Sequence, residues 1–563
     1  MPPKRKTHNQ NKSSSQKCRN NEAKTLEKKE ETNKQEAGDQ TGIDRLSDLP
    51  EPIIHKILLC LPPSDAINTE PLSRRWRHSI WPSCPIFYFD EDSSGANYFQ
   101  YYTEENGNRR RFAKFLLNSL QKQKEGTGNY GSIEKFGVRM ALLGHKWDAT
   151  VDGWVKFAVE NEVKELDLRI KRVLGLENCL ERYWLDDCVF ACRSLTALYL
   201  DYCLIRLDCV TVDLPSLKRL TLSEVEITNN SFRRLIGGCP SVEYLCVEFC
   251  KGLQVIKGSA PNLKSLKLNL TDVYLVSLEP LRLESVELSG DFTYSDPLMF
   301  DKLGTLKEMN LKNLNITDEQ LQRLLDQSPM LETLIIEGCT GLERIRVRQK
   351  IKRFSMSRCR GIVEAGVLSA NLESLEYSGD VTISFCCRDN LRSAEVRISL
   401  DPMELSAAWF FRLKKLLKVF AKSKLLTLAC PSDQLVIFPG ALCERLLPPL
   451  HDLKHLKLEI RTLSTSCPAI VDGLIWLFPG LETLTIKSGS INKLIKGRFV
   501  FNVPHRTVCL QNLKILSLNF LIYVDDDSIQ MLFSGCPALE DLKITRVGWD
   551  YAWTLDVSGP LLE

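Results

Sequence analysis

The chain has 563 residues, of which 44% are hydrophobic and 26% are charged, and its formal net charge is +3. This composition is that of an ordinary globular protein and excludes a mostly disordered or collagen-like chain. The 20 cysteines are too dilute for a small scaffold held by disulfides. Residues 1–42 carry ten Lys or Arg against six Asp or Glu, so this tail holds +4 and the remaining residues hold −1. Because the residues after the tail are close to neutral, the chain is not expected to bind polyanions in general.

The amino-terminal segment 1–42 is polar, with Leu26 as its only large aliphatic residue. We expect a disordered basic tail, because such a segment cannot bury enough apolar surface to offset the entropy of ordering. It has no apolar core of a signal peptide, and no run of about 18 apolar residues follows anywhere, so we predict no membrane association. The cysteines should then be reduced thiols in the cytoplasm, the nucleus or both. Lys4-Arg5-Lys6 is either a nuclear import signal or part of a solubilising tail.

Residues 43–84 predict a short three-helix module. Its first helix should carry one wide apolar stripe, with Asp48 as a candidate N-cap and Pro62-Pro63 as its end. A third helix carries apolar residues at Leu72, Trp76 and Ile80. A unit this small rarely buries its apolar faces alone. It is therefore either a docking module for a partner or a helical cap on the domain that follows. The first stripe comprises Leu49, Ile53, Ile54, Ile57, Leu58 and Leu61.

After a predicted linker and start of the array at 85–150, residues 151–563 repeat one pattern of apolar residues at n, n+3 and n+5. From Leu195 to Leu372 the starts are spaced by 20 to 25 residues, a spacing typical of leucine-rich repeats. A less regular stretch separates Leu372 from Leu453. The repeats begin at Val163, Leu195, Leu217, Val242, Leu263, Leu283, Leu306, Leu331, Ile351, Leu372, Leu453, Leu481, Leu513 and Leu539.

Positions n+3 and n+5 lie on one face of an extended strand, because side chains alternate along it. Each unit is predicted to be a strand, a turn and a helical or irregular return, and stacking buries the apolar faces of neighbours. The expected fold class is α/β, a curved solenoid whose parallel strands line its concave side. Thr317 should cap a helix whose apolar face is Leu321, Leu324 and Leu325, and Asp527–Leu532 repeats this design.

Four cysteines occupy the turn after the strand, three residues past the last core position: Cys203, Cys250, Cys339 and Cys359. Leucine-rich repeats place Asn or Cys there, and a small buried thiol with a weak S–H donor suits a tight stacked turn. No CxxC pair and no HExxH motif occurs, so we predict neither a metal site nor a cofactor. Phosphate-binding loops and nucleophile elbows are likewise missing, which argues against an enzyme.

Three blocks of the first module resemble an F-box: Leu46-Ser47-Asp48-Leu49-Pro50, the segment Ile57-Leu58 to Leu61-Pro62, and Leu72 to Arg77, followed by Trp81. With the repeats behind them, residues 43–563 resemble the plant F-box/leucine-rich-repeat family. The resemblance implies that the F-box at 43–84 docks on a Skp-family adaptor and through it on a cullin. By carry-over, the residues that touch the adaptor or complete the F-box core are Leu46, Leu49, Pro50, Ile53, Ile54, Ile57, Leu58, Leu61, Leu72 and Trp76.

Two features depart from the family pattern. Glu70-Pro71 stands where F-boxes usually carry helix formers, so either the third helix begins at Pro71 or docking is weakened. The chain ends at 559–563 in what looks like the start of another strand unit, so we expect either a truncated sequence or an array without a polar cap.

The resemblance implies a substrate-recognition adaptor of an SCF-type cullin–RING ubiquitin ligase, whose repeats bind an unidentified target protein. A first alternative is a protein-binding scaffold with a degenerate F-box that acts outside the ligase. A second is an extracellular leucine-rich-repeat binder, suggested only by glycosylation triplets such as Asn229-Asn230-Ser231. No nucleic-acid or membrane partner is expected, because the body is neutral and lacks a spanning segment.

Overall fold

The structure is a computed structural model of the whole chain, and it divides into two units, Met1–Gly131 and Ser132–Glu563. The predicted tail at 1–42 lies outside the described residues, and so does the region 91–132. The structure describes residues 48–60, 69, 72, 75, 86–90, 133–142, 148–172, 182–290, 303–387, 391–398, 405–439, 442, 450–462, 477–488, 512–519, 536–546 and 553–558.

The first unit contains helix α1 (Glu51–Cys60) and strand β1 (Ile86–Asp90). The carbonyl of Pro50 accepts the backbone N–H groups of Ile53 at 2.9 Å and Ile54 at 3.2 Å. The helix therefore begins at Glu51, and Pro50 rather than the predicted Asp48 stands at its N-cap. A proline suits this place, because the missing proline N–H would have no partner inside the helix.

The second unit is built on one long sheet, called here the main sheet, to which each unit of the array contributes one strand. Neighbouring strands are parallel throughout except for the last pair described, β26 and β27. The strands are β2 (Lys135–Leu142), β3 (Glu165–Arg172), β5 (Ala197–Asp201), β7 (Arg219–Ser223), β9 (Tyr244–Glu248), β11 (Ser265–Asn269), β13 (Ser285–Ser289), β14 (Glu308–Lys312), β15 (Thr333–Glu337), β17 (Arg353–Ser357), β19 (Ser374–Gly379), β21 (Ser393–Ile398), β22 (Leu425–Ser432), β23 (His455–Thr462), β24 (Thr483–Ser488), β25 (Ile515–Asn519), β26 (Asp541–Arg546) and β27 (Trp553–Ser558).

The strand register stacks the repeat positions on one another. Leu198 is paired with Leu220, Leu220 with Leu245 and Leu245 with Leu266, so position n+3 forms one buried column across the sheet. Position n+5 forms a second column beside it. The predicted α/β solenoid with a parallel sheet is confirmed, and the core is the stack of these columns against the buried residues at n.

The sheet also contains strands that the repeat pattern missed, and β27 (Trp553–Ser558) at its end is one of them. Strand β2 follows Ile133 within the segment predicted as linker and start of the array. Strands β21 and β22 fill the less regular stretch between Leu372 and Leu453, in register with their neighbours. In the unit of β21, position n+3 is the small Ala394. In the unit of β22, position n is the polar Ser423, so neither unit shows the full pattern of large apolar residues.

Behind the main sheet, the return segments form short parallel strands where we predicted helix or irregular chain. Among the described residues, four helices occur in the longer units, together with a 3-10 turn at Asp187–Ala191 and another at Asp433–Leu435. The described helices of this unit are α2 (Asp148–Glu160), α3 (Asn229–Gly237), α4 (Asp318–Asp326) and α5 (Ala407–Phe420). The return strands are β4 (Tyr183–Trp184), β6 (Cys203–Ile205), β8 (Glu226–Ile227), β10 (Val255–Gly258), β12 (Leu275–Leu278), β16 (Arg344–Val347), β18 (Glu364–Val367) and β20 (Ser384–Cys387).

The length of a unit decides whether its return segment forms a helix or a strand. The two units of 25 residues, starting at Leu217 and Leu306, each have room for a nine-residue helix, α3 and α4. Described units of 19 to 21 residues return through a strand, since a strand covers the same distance with half the residues of a helix. The predicted helix at Thr317 is confirmed, with Thr317 in a capping box and Leu321, Leu324 and Leu325 buried. The matching segment Asp527–Leu532 lies outside the described residues.

The turn after the main-sheet strand takes the same backbone conformation in many of the units. Position n+7 takes a left-handed φ in seven units, at Tyr202, Glu224, Phe249, Gly290, Asn313, Gly338 and Arg358. The backbone N–H of this residue reaches the next strand, as from Tyr202 to the carbonyl of Ser223 at 3.1 Å. The turn thus joins neighbouring units at the carboxyl ends of their strands. Phe249 is the unusual member, because a bulky residue rarely adopts this conformation and the residue is 58% exposed.

Strand β27 reverses the chain direction. It pairs antiparallel with β26, with Leu542 opposite Val557 and Ile544 opposite Leu555. The expectation of parallel strands is wrong for this last pair, because a short connection between 546 and 553 can only turn the chain back on itself. None of the helices described here combines the length and apolar composition that a membrane crossing requires.

Candidate functional site

The apolar stripe of α1 separates into an inner and an outer row. Ile54 and Leu58, one helical turn apart, are buried. Ile53 lies one residue earlier, about 100° around the helix axis, and 46% of its surface is exposed. Ile57 and Leu49 are half-buried, and Pro50 is exposed. The inner row therefore belongs to the core, and the outer row presents isoleucine to solvent.

The region after α1 adds a second exposed aliphatic side chain. Leu72 is 58% exposed, and its backbone N–H donates to the carbonyl of Thr69 at 3.0 Å. Arg75 Nη2 donates to the carbonyl of Leu49 at 3.1 Å, which ties this turn to the start of α1. Exposed aliphatic side chains in a short module suit a docking surface. The predicted residues Leu46, Leu61 and Trp76, and the departure at Glu70-Pro71, lie outside the described residues.

The second candidate surface is the open face of the main sheet, formed by side chains that point away from the buried columns. Ion pairs link neighbouring strands on this face. Lys267 Nζ lies 3.2 Å from Glu248 Oε1 and 3.4 Å from Glu287 Oε1, and Lys312 Nζ lies 3.1 Å from Glu287 Oε2. The face is thus polar and close to neutral, with charges held in register by the strands.

A cleft of about 430 Å³ opens on this face across β3 to β11. Two half-buried tyrosines, Tyr199 and Tyr244, line it together with cations from three strands. Arg169 Nε lies 2.8 Å from Asp167 Oδ1, and Arg219 Nη2 lies 2.7 Å from Glu165 Oε1. Burial raises the pKa of Tyr244 to about 12, so its hydroxyl keeps its proton at neutral pH. The cleft offers aromatic surface and hydrogen-bond donors, a combination common in protein interfaces.

The four predicted turn cysteines all donate their thiols to backbone carbonyls. Cys250 Sγ lies 3.7 Å from the carbonyl oxygen of Leu222 in the preceding unit, and Cys339 Sγ lies 3.5 Å from that of Leu311. Cys359 donates to Ser357 at 3.3 Å, and Cys203 donates to Asp201 at 3.5 Å. Burial raises the pKa of Cys203 and of Cys250 to about 12, so these thiols are neutral. Among the described residues, no group of three or more His, Cys, Asp or Glu side chains is arranged to hold a metal ion.

A further surface, missed by the repeat analysis, runs along the amino-terminal edge of the main sheet. Position n+1 carries charges that alternate in sign from Lys218 to Arg392, and we call the whole row of n+1 residues the charge ladder. Within it, Lys264 Nζ lies 2.6 Å from Glu243 Oε2, Lys307 Nζ lies 3.0 Å from Glu284 Oε2, and Lys352 Nζ lies 2.9 Å from Glu332 Oε2. The ladder reads Glu134, Lys164, Thr196, Lys218, Glu243, Lys264, Glu284, Lys307, Glu332, Lys352, Glu373, Arg392, Lys424, Lys454, Glu482, Lys514 and Glu540.

Both the amino-terminal module and the repeat array match known protein families. Residues 46–83 match the F-box domain family. Residues 151–297 match the leucine-rich repeats of the FBD-associated F-box protein At5g56370, and residues 270–487 match the leucine-rich-repeat domain of At1g61320/AtMIF1. Residues 512–537 match a general leucine-rich-repeat family.

Three relatives from Arabidopsis thaliana share this arrangement by name. The F-box/FBD/LRR-repeat protein At1g13570 is 28% identical over 52% of this chain and 61% of its own length, and At5g56420, of the same description, is 26% identical over 52% and 65%. The chain therefore spans less than two thirds of either of these proteins. The F-box/LRR-repeat protein At1g55660 is 30% identical over 53% of this chain and 81% of its own length. An F-box match ahead of a stacked array of leucine-rich repeats, with relatives of that description, shows that the chain belongs to the plant F-box/leucine-rich-repeat protein family.

Proposed function

We propose that this protein is the substrate-recognition subunit of an SCF-type cullin–RING ubiquitin ligase. Its F-box docks on a Skp-family adaptor, which connects it to the cullin, and the repeat array binds the protein to be ubiquitinated. The protein works in the cytoplasm, the nucleus or both. The observation that carries the proposal is the exposure of Ile53 beside the buried Ile54, within a segment that matches the F-box family.

The energetics of docking favour the outer row of α1. Burying a fully exposed Ile or Leu side chain contributes roughly 1.5–3 kcal/mol, so Ile53 and Leu72 together supply a substantial part of a stable contact. Half-buried Ile57 and Leu49 extend the same surface. The inner row cannot contribute directly, since Ile54 and Leu58 are already removed from water.

The mechanism requires no catalytic group in this chain. An adaptor that holds the ligase at one end and a target at the other raises the effective concentration of target lysines near the ubiquitin-charged enzyme. The open face of the main sheet is the proposed target-binding surface, because its side chains recur at a regular spacing, many of them are partly exposed, and they point away from the two buried columns. Tyr199, Tyr244 and the surrounding charges would supply both apolar contact and hydrogen bonds there.

Co-purification with a Skp adaptor tests the docking half of the proposal. We expect the wild-type chain to retain the adaptor at micromolar concentration and the Ile53→Asp and Leu72→Asp variants to lose it while remaining folded. Leu281→Asp is the matched control, because this exposed leucine lies in the array and its variant should bind the adaptor normally. Wild-type protein that does not retain the adaptor would contradict the ligase assignment and favour a scaffold acting outside the ligase.

The target half needs a separate measurement in plant cells. Proteins labelled by a proximity enzyme fused to this chain should accumulate when the proteasome is inhibited, and that gain should vanish with Ile53→Asp. A labelled set that does not respond to inhibition would argue for binding without ubiquitination.

A further inference from the structure

The charge ladder breaks its alternation at three consecutive cations. Strand pairing places Arg392 beside Lys424 and Lys424 beside Lys454, because the residues that follow them, Ser393, Leu425 and His455, are partners in register. Adjacent strands are about 4.8 Å apart, and like charges directly opposite one another are destabilising. A glutamate in place of Lys424 would interrupt the run of cations, so Lys424 departs from the arrangement that favours stability.

The two outer cations of this run each form an ion pair with a glutamate on the side away from Lys424. Arg392 Nη1 lies 3.7 Å from Glu373 Oε2, and Lys454 Nζ lies 3.1 Å from Glu482 Oε1. In the part of the chain that the structure describes, Lys424 has no acidic partner within ion-pair distance. Its side chain is exposed, and so is that of the adjacent Leu425, at 41%.

The chain around Lys424 is itself basic. Residues 405–432 contain six Lys or Arg and no Asp or Glu, although the body of the chain outside the tail is close to neutral. The cations of α5 and of the segment after it that lie at the surface include Lys415 and Lys418. This unit is also extended, since 32 residues separate Leu391 from Ser423. Positive charge is therefore concentrated where the repeat is least regular.

We propose that Arg392, Lys424 and Lys454 form a binding site for an acidic segment of a target protein, with Leu425 as an apolar contact beside them. This inference rests on the proposed role of the array as the target-binding part. Places where a protein departs from the locally stable arrangement are often functional, and a row of cations with an uncompensated centre complements carboxylates. The site lies on the amino-terminal edge of the main sheet, apart from the cleft at Tyr199 and Tyr244.

A protein partner fits this site better than a nucleic acid. Nucleic-acid binding depends on neutralising many phosphates along an extended basic surface. Here the run is three cations long, and the ladder on either side returns to glutamate at Glu373 and Glu482. Those carboxylates would repel a continuous phosphate backbone but leave room for a short cluster of acidic side chains.

Fluorescence anisotropy with the full-length chain tests the site. The probe is a fluorescein-labelled deca-glutamate peptide at low salt, with a single-stranded oligonucleotide of similar charge as the competing ligand. We expect the Kd for the peptide to rise roughly tenfold in Lys424→Glu, because the variant replaces attraction by repulsion at the centre of the site. The thermal midpoint of this variant should equal or exceed that of the wild type, since a carboxylate between two cations relieves their repulsion. Lys251→Glu carries the same charge change on an exposed residue elsewhere and should leave both quantities unchanged.

Two results would overturn the assignment: an unchanged peptide affinity in Lys424→Glu, or tighter binding of the oligonucleotide than of the peptide. Lys424→Gln provides a second variant that removes the charge without adding a carboxylate, and its affinity should also fall. Adaptor co-purification on the same samples separates this inference from the proposed function. Lys424→Glu should retain the adaptor, whereas Ile53→Asp should lose the adaptor and keep the peptide.

Discussion

Asn229 and Asp318 occupy the same position in two units of the array and make the same pair of hydrogen bonds. Asn229 Oδ1 accepts the backbone N–H groups of Gln254 and Val255, both at 2.9 Å. Asp318 Oδ1 accepts those of Glu343 at 2.9 Å and Arg344 at 3.1 Å. Each is the first residue of its return helix, α3 or α4, and each holds the start of the return strand in the following unit.

We expect Asp318→Ala to lower the free energy of unfolding by roughly 1–2 kcal/mol, because two backbone N–H groups lose their acceptor. Asp318→Asn should retain most of the stability, since Asn229 already performs this role with an amide oxygen. Urea denaturation of the two variants beside the wild type measures the difference. Equal losses for Ala and Asn would show that the carboxylate charge matters rather than the acceptor geometry.

The charge ladder should stabilise the stacking of neighbouring units, and this contribution should depend on the salt concentration. Lys307→Glu places a carboxylate between Glu284 and Glu332, and we expect it to lower the thermal midpoint by a few degrees at low salt. The effect should shrink in molar salt, since these side chains are half-exposed and screened. Exchanging the pair, as Lys307→Glu with Glu284→Lys, should recover part of the loss. A loss that is independent of salt would point to packing instead of charge.

Substitutions at the left-handed turn position n+7 should change stability in opposite directions at Gly338 and Phe249. Gly338→Ala should lower the free energy of unfolding by about 1–2 kcal/mol, because the new Cβ meets both a left-handed φ of 64° and the side chain of Asn313. Phe249→Gly should leave the stability unchanged or raise it, because it relieves a φ of 53° and removes an exposed ring. Thermal unfolding of both variants checks the opposite signs. A clear loss in Phe249→Gly would mean that the ring packs on a neighbour.

Thiol labelling should follow burial. Cys209 and Cys386 are exposed, and we expect both to react rapidly with iodoacetamide at pH 8 in the folded protein. Cys203, Cys239 and Cys250 should react only after unfolding, because burial raises the pKa of each to about 12 and also blocks access. Mass spectrometry of the labelled peptides identifies each site. Labelling of Cys250 as fast as that of Cys209 would contradict the stacked-turn arrangement.

The repeat periodicity was enough to locate most strands of the main sheet, because core positions n, n+3 and n+5 carry large apolar residues in those units. It failed at β21 and β22, where a small Ala394 and a polar Ser423 take core positions and a helix lengthens the unit. The return strands were also missed, since two to four residues of mixed exposure leave no periodic signal. On α1 both rows are isoleucine and leucine, so composition could not decide that Ile54 faces inward and Ile53 outward. The charge ladder, by contrast, is readable from position n+1 once the strands are aligned.

Because every unit adds one strand to the front whatever its length, insertions and deletions in the return segments do not disturb the open face. Units from 19 to 32 residues long place their strands in the same register. The back of the array can therefore drift in length and secondary structure over generations, while each front position keeps its neighbours. On the proposed role of the front as the target-binding surface, a single substitution there would change what is bound without altering the scaffold.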